Sequence, residues 1–173
     1  LDPLVESVDS VQALELDTTP PRQLADEVVV LFAVVNRLHA MALARLATVD
    51  AHGVAALESG SSTASWLRHH TRLPSGQASD LVSTARTLRN SLPATENALQ
   101  DGEITVHHAR TIARTARLVE DQLGSSAADA AVEDVERVML DVGRSVDAGS
   151  LAGFATRVRQ VVDPDGALVD ANR

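Results

Sequence analysis

From Pro21 to about Leu57 nothing in the sequence interrupts a helix. Leu24, Val28, Leu31, Val35, Leu38 and Ala42 alternate steps of four and three, and the pattern continues less regularly through Leu46 and Val49. That is a heptad-like seam, and it predicts one long helix. The run EVVVLFAVV is β-prone, so a buried strand is the competing assignment. No turn signal follows it, however, and the alanine-rich HAMALARLA keeps the helical period. At 1.5 Å per residue such a helix reaches roughly 55 Å, so it needs partners along its length. Leu31, Val35 and Leu38 are the expected interface of a homo-oligomer formed through it. Gly53 is the residue able to bend it.

The rest of the chain reads as helices between caps. Residues 1–20 form an N-terminal helical segment with Leu4, Val8, Val11 and Leu14 at helical spacing, closed by Thr18-Thr19-Pro20-Pro21. Gly60-Ser61-Ser62-Thr63 is a linker and N-cap cluster before a short helix, Ala64 to Thr71, in which Trp66 is expected as a core anchor. Ser75 starts a helix with Ala78, Leu81, Ala85, Leu88 and Leu92 inside. After Leu118 the run VEDQLGSS reads as an acidic loop. Helices from about Ala127 to Val146 and from Leu151 to about Val162 follow, then the turn Asp163-Pro164-Asp165-Gly166. The expected fold is all-α: a bundle of about six to eight helices, with residues 21–166 as the main domain and 167–173 the start of a linker or a truncated element.

Composition agrees. Hydrophobic residues make up 45% and aromatics 2%, with 27 alanines, so helices must pack through small side chains. There is no cysteine, which removes disulfides, thiolate metal sites and a cysteine nucleophile. That suits a reducing compartment, and a cytoplasmic location is expected. No apolar run reaches the 18 to 20 residues of a bilayer span, so no membrane partner is expected.

The central stretch Leu92–Leu118 carries the most pointed local pattern. Pro93 suits a first helical position, Asp101-Gly102 ends that helix, and Thr105 caps the next, with Ile104 packing back on it. The second helix then has two faces. Ala109, Ile112, Ala116 and Val119 fall on one, and His107, Arg110, Arg114 and Arg117 roughly opposite. Two short helices with a tight turn and a basic stripe resemble a helix-turn-helix reader of DNA. An ordinary helical hairpin with an arginine-rich solvated face fits the same residues. Arg86 and Arg89, on the preceding helix, either join the stripe or are solvated.

Charge tempers the DNA reading. All 15 basic residues are arginine, and the net charge is −9. Residues 1–60 carry −6, residues 61–118 carry +3, and residues 119–173 carry −6. A mildly basic middle between acidic flanks permits local phosphate contact but opposes strong non-specific binding.

No catalytic constellation is present. There is no phosphate-cradling glycine loop, no GxSxG and no HExxH. His69-His70 and His107-His108 lack the spacing of a helical metal pair. The DPDG turn lacks the glutamate that would end a calcium loop. No metal and no cofactor are expected.

The motifs LARLATVDAHG, STASWLRHHTRLPSGQASDLVSTARTLRNSLPATENALQDGEITVHHARTIA and VVDPDGA together resemble the domain of unknown function 222, found in the 13E12-type repeat proteins of mycobacteria and other actinobacteria. GEITVHHAR is also similar to the helix-turn-helix of chromosome-partition proteins. The first resemblance implies a helical domain N-terminal to an HNH endonuclease domain, and hence an association with DNA cleavage. Whether the whole protein is an enzyme rests on such a domain following, because this chain holds no HNH motif. Two functions are therefore expected. One is a non-catalytic module that positions a nuclease on double-stranded DNA, with Arg110, Arg114 and Arg117 on phosphate, His107 and Thr111 near the groove, and Arg86 and Arg89 alongside. The alternative is a protein-protein interaction, dimerisation or regulatory module without DNA contact of its own.

Overall fold

A computed structural model describes residues 1–123 and 125–162. Among the described residues there are nine helices and no strand, so the chain is all-α. In order they are α1 (Asp2–Gln12), α2 (Pro21–Ala51), α3 (Val54–Ser59), α4 (Thr63–Thr71), α5 (Ser75–Ser91), α6 (Pro93–Asp101), α7 (Val106–Leu123), α8 (Ser125–Gly143) and α9 (Ala148–Val162). The chain forms two compact units, Leu1–Val35 and Asn36–Arg173.

In the second unit α7 is the centre. It packs against α5, α6, α8 and α9. Its alanines make this possible: Ala109, Ala113 and Ala116 are buried to within 1% of full burial, beside Ile112 and Val119. Small side chains let neighbouring helices come close on several sides. The neighbours contribute Leu88 and Leu92 from around α5, Leu99 from α6, Met139 and Leu140 from α8, and Leu151 and Ala155 from α9. The last part of α2 joins the same core through Ala40, Leu43, Leu46 and Ala47.

Three polar ties fix this arrangement. Gly102 (φ +79°) ends α6 in the left-handed conformation, as the Asp101-Gly102 pair implies. His108 is buried at the start of α7. Its Nδ1 lies 2.8 Å from the Thr105 hydroxyl and accepts from the Thr105 N–H at 3.3 Å, while Nε2 lies 3.0 Å from the Val146 carbonyl. The ring therefore carries its proton on Nε2, and it joins the cap of α7 to the α8–α9 connection. The third tie is Glu136 of α8, 5% exposed, which accepts from the Thr95 N–H at 2.7 Å. Its carboxylate caps α6 from another helix, where the N-terminal dipole favours negative charge.

The structure alters several boundaries. The long helix stops at Ala51 rather than near Leu57, because Gly53 takes a left-handed turn (φ +63°) and Val54 starts α3. The expected loop after Leu118 is helix as far as Leu123. Val119 is buried and continues the stripe of Ile112 and Ala116, so packing holds the turn, while Glu120 and Asp121 are its solvated side. Trp66 is a half-buried side chain rather than a core anchor: its indole N–H donates to Glu58 at 2.9 Å, bridging α3 and α4. The Asp163–Gly166 turn and residues 167–173 lie outside the described residues.

Two outcomes test the Glu136 tie and the cap of α9. Glu136→Ala should lower stability by about 2 kcal/mol in chemical denaturation, since it strips a buried charge-assisted bond from a helix N-terminus. Asp147 caps α9, accepting from the Ser150 hydroxyl at 2.7 Å and from the Ser150 and Gly149 N–H groups. These bonds, the Ser150 hydroxyl first, hold its carboxyl below the ordinary value of 3.8. The cap's contribution is thus complete above that value and is lost as pH falls through the lower folded one. Amide protection at Gly149 and Ser150 should decline over that acid range, and Asp147→Asn should abolish the pH dependence.

Candidate functional site

The residues that sequence reasoning placed on DNA lie on α5 and α7, and most of them are engaged within the fold. Arg110 pairs with Asp80 of α5 at 2.7 Å, its side chain 28% exposed. Arg117 donates to the Ser83 hydroxyl of α5, and its buried Nε has no partner among the described residues. Arg86 pairs with Asp50 of α2 at 2.8 Å. Arg89 donates to the Ala47 carbonyl of α2 at 3.1 Å. Thr111 turns its hydroxyl back to the His107 carbonyl, 3.0 Å away. Only His107 and Arg114 of this set are exposed on α7, and Arg114 makes no ion pair among the described residues.

The stripe is therefore real as a pattern, and it lies mostly along the seam where α7 meets α5. A helix that reads a groove about 12 Å wide must present one face unobstructed. Here α7 has neighbours α5, α6, α8 and α9.

A groove of about 580 Å³ lies beside α8 in the second unit. Glu120, Asp129, Glu133, Glu136, Arg137 and Arg144 are among its lining residues. Arg137 pairs with Asp134 at 2.6 Å and Arg144 with Glu103 at 2.8 Å. Among the described residues no group of three His, Asp or Glu is placed to hold a metal ion. His69 and His70 are both exposed, ring centres 5.4 Å apart.

The first unit has a different character. Not one residue from 1 to 35 is buried. On α1, Val5, Val8 and Val11 are 44–56% exposed. On α2 the consecutive Val28, Val29, Val30, Leu31 and Phe32, then Val34 and Val35, are 40–70% exposed. Of the expected interface residues, Leu31 and Val35 lie in this run, and Leu38 is half-buried at the start of the second unit. The seam spacing pointed to one stripe; that Val29, Val30 and Phe32 are also uncovered was readable only as the β-prone run EVVVLFAVV. By length and composition α2 is apolar enough to cross a membrane.

The fold is all-α, with the second unit built around one small-residue helix. The chain belongs to the family described as Domain of unknown function (DUF222), which matches it over residues 25–173. The match begins inside α2, so α1 lies outside it. No curated protein and no solved structure matches the chain.

The ion pairs give a graded expectation. Arg114→Ala should change stability by no more than about 0.5 kcal/mol, being exposed. Arg86→Ala leaves Asp50, only 14% exposed in its side chain, without its cation and should cost about 1–2 kcal/mol. Urea melts of the two variants check the order; equal losses would mean the Arg86 bond contributes nothing.

Proposed function

We propose that this domain is a protein-protein interaction module whose docking surface is the first unit. One observation carries the reading: residues 1–35 contain an apolar helix that is exposed on all sides and has no core. A helix hydrophobic all round is normally buried or in lipid, and exposed apolar patches of this kind mark binding surfaces. The arginines of α5 and α7 support it indirectly, because their pairing leaves few cations for phosphate. In the nuclease context that the family resemblance implies, such a module would hold polypeptides together while another domain binds and cuts DNA.

A second reading, positioning on duplex DNA, draws on the exposed Arg114 and His107 of α7. Under it, Arg114→Ala would reduce the slope of log K against log salt by about 0.9.

Two measurements separate the readings. At nanomolar concentration the wild-type chain should bind an apolar fluorescent dye. The double variant Val29→Glu, Phe32→Glu should lose most of that signal with unchanged helicity and melting temperature. A dilute wild-type chain that binds no dye would end the interaction reading, since its apolar run would then be covered by its own chain. Labelled duplex DNA at low salt should show no anisotropy change with the wild type; binding that weakens on Arg114→Ala would instead favour the DNA module.

A further inference from the structure

What covers the first unit follows from the register of its apolar residues. We propose, resting on the interaction reading above, that the occupant is a second copy of this chain, with the two α2 helices parallel and in register.

Area comes first. Val28–Leu31, Phe32, Val34 and Val35 are 40–70% exposed. At roughly 150–200 Å² per side chain of this size, they leave on the order of 600 Å² of apolar surface open. That is the top of the range for the largest patch on a monomer. Val5, Val8, Val11, Leu14 and Leu16, 44–62% exposed, bring the total near 1,000 Å². A standard interface buries about 800 Å² from each partner. The surface is therefore the size that one stable partner requires.

The sequence of the surface selects the partner. In heptad terms Val28 and Val35 take position a, and Leu24 and Leu31 take position d. Valine at a with leucine at d is the combination that favours two parallel strands. The flanking e and g positions are Ala25, Phe32, Glu27 and Val34. With one charge among the four, in-register pairing brings no run of like charges together. Val29 and Val30, 70% and 61% exposed, fall outside a two-helix seam and are not covered by α1 of their own copy; in the proposed pair the α1 segments fold over them. The stripe of α1, Leu4, Val8 and Val11, has no buried residue on it. Two α1 and two α2 segments then share the core that one copy lacks.

A lipid bilayer fits less well. The exposed apolar run Val28–Val35 is eight residues, about 12 Å of helix against a hydrocarbon core of about 30 Å. Beyond it come Asn36 and Arg37, and from Ala40 one stripe of the helix, Ala40, Leu43, Leu46 and Ala47, is buried in the second unit.

The absence of native cysteine makes the register directly testable by single-cysteine variants of the full chain. In a parallel in-register pair each a residue meets its own copy at the Cα separation a disulfide accepts, about 4.4–6.8 Å. Val28→Cys alone, and Val35→Cys alone, should each oxidise to a covalent homodimer in high yield. Val30→Cys, off the seam, should not. Sedimentation of the wild type at tens of micromolar should give a dimer that persists in high salt, and dye binding should fall as dimer forms. If Val28→Cys and Val35→Cys cross-link only when mixed, the helices are antiparallel and the proposal is overturned. A wild-type monomer with no cross-linking also overturns it. In that case a chain that still binds dye keeps the interaction reading with a different protein as partner, and one that co-sediments with lipid vesicles identifies a membrane surface instead.

Discussion

The close approach of helices to α7 is the constraint on which the second unit depends. With aromatics at 2%, bulk cannot fill its interior, and distance between backbones has to shrink instead. Ala109, Ala113 and Ala116 allow that along about two turns, and Ile112 and Val119 fill what remains. Such a core tolerates added volume poorly, because each extra methylene must push a whole helix outward. Buried polar groups follow the same economy of space: His108 and Glu136 each fasten one helix end to a distant element. Each does so where a helix would otherwise leave its backbone groups unmet.

Much of this was legible in the residues. Helical periodicity and caps gave the all-α class, the Pro93 start, the Gly102 stop and the inner face of α7, because those signals are local and self-consistent. What packing adds was harder to read. A run of acids after Leu118 looks like a loop, yet one buried valine keeps it helical. A lone tryptophan looks like a core anchor, yet its neighbour Glu58 is in reach of its N–H. The arginines of α5 and α7, whose DNA role stays a proposal, have Asp80, Ser83, Asp50 and the Ala47 carbonyl as partners within the fold. Those partners are more than 29 residues away in sequence, and spacing within one helix carries no information about them.

The two units thus divide the chemistry of the chain. One pairs several of its arginines and buries an apolar core internally, and the other buries none of its hydrophobic residues. A thirty-five-residue segment has too little surface to bury on its own, and isolated helices of this length are marginal in water. If the unit associates as proposed, its order and its stability become inseparable from concentration.

Trp66 has a practical bearing on all of this. It is the single indole in the chain, and it sits half-buried between α3 and α4, hydrogen-bonded to Glu58 and 4.9 Å from the His70 ring. Intrinsic emission consequently reports the docking of a short helical corner. It is blind to the α7 core and to the first unit alike. An optical melt of this protein would trace the loosening of that corner, and the two larger events need probes of their own.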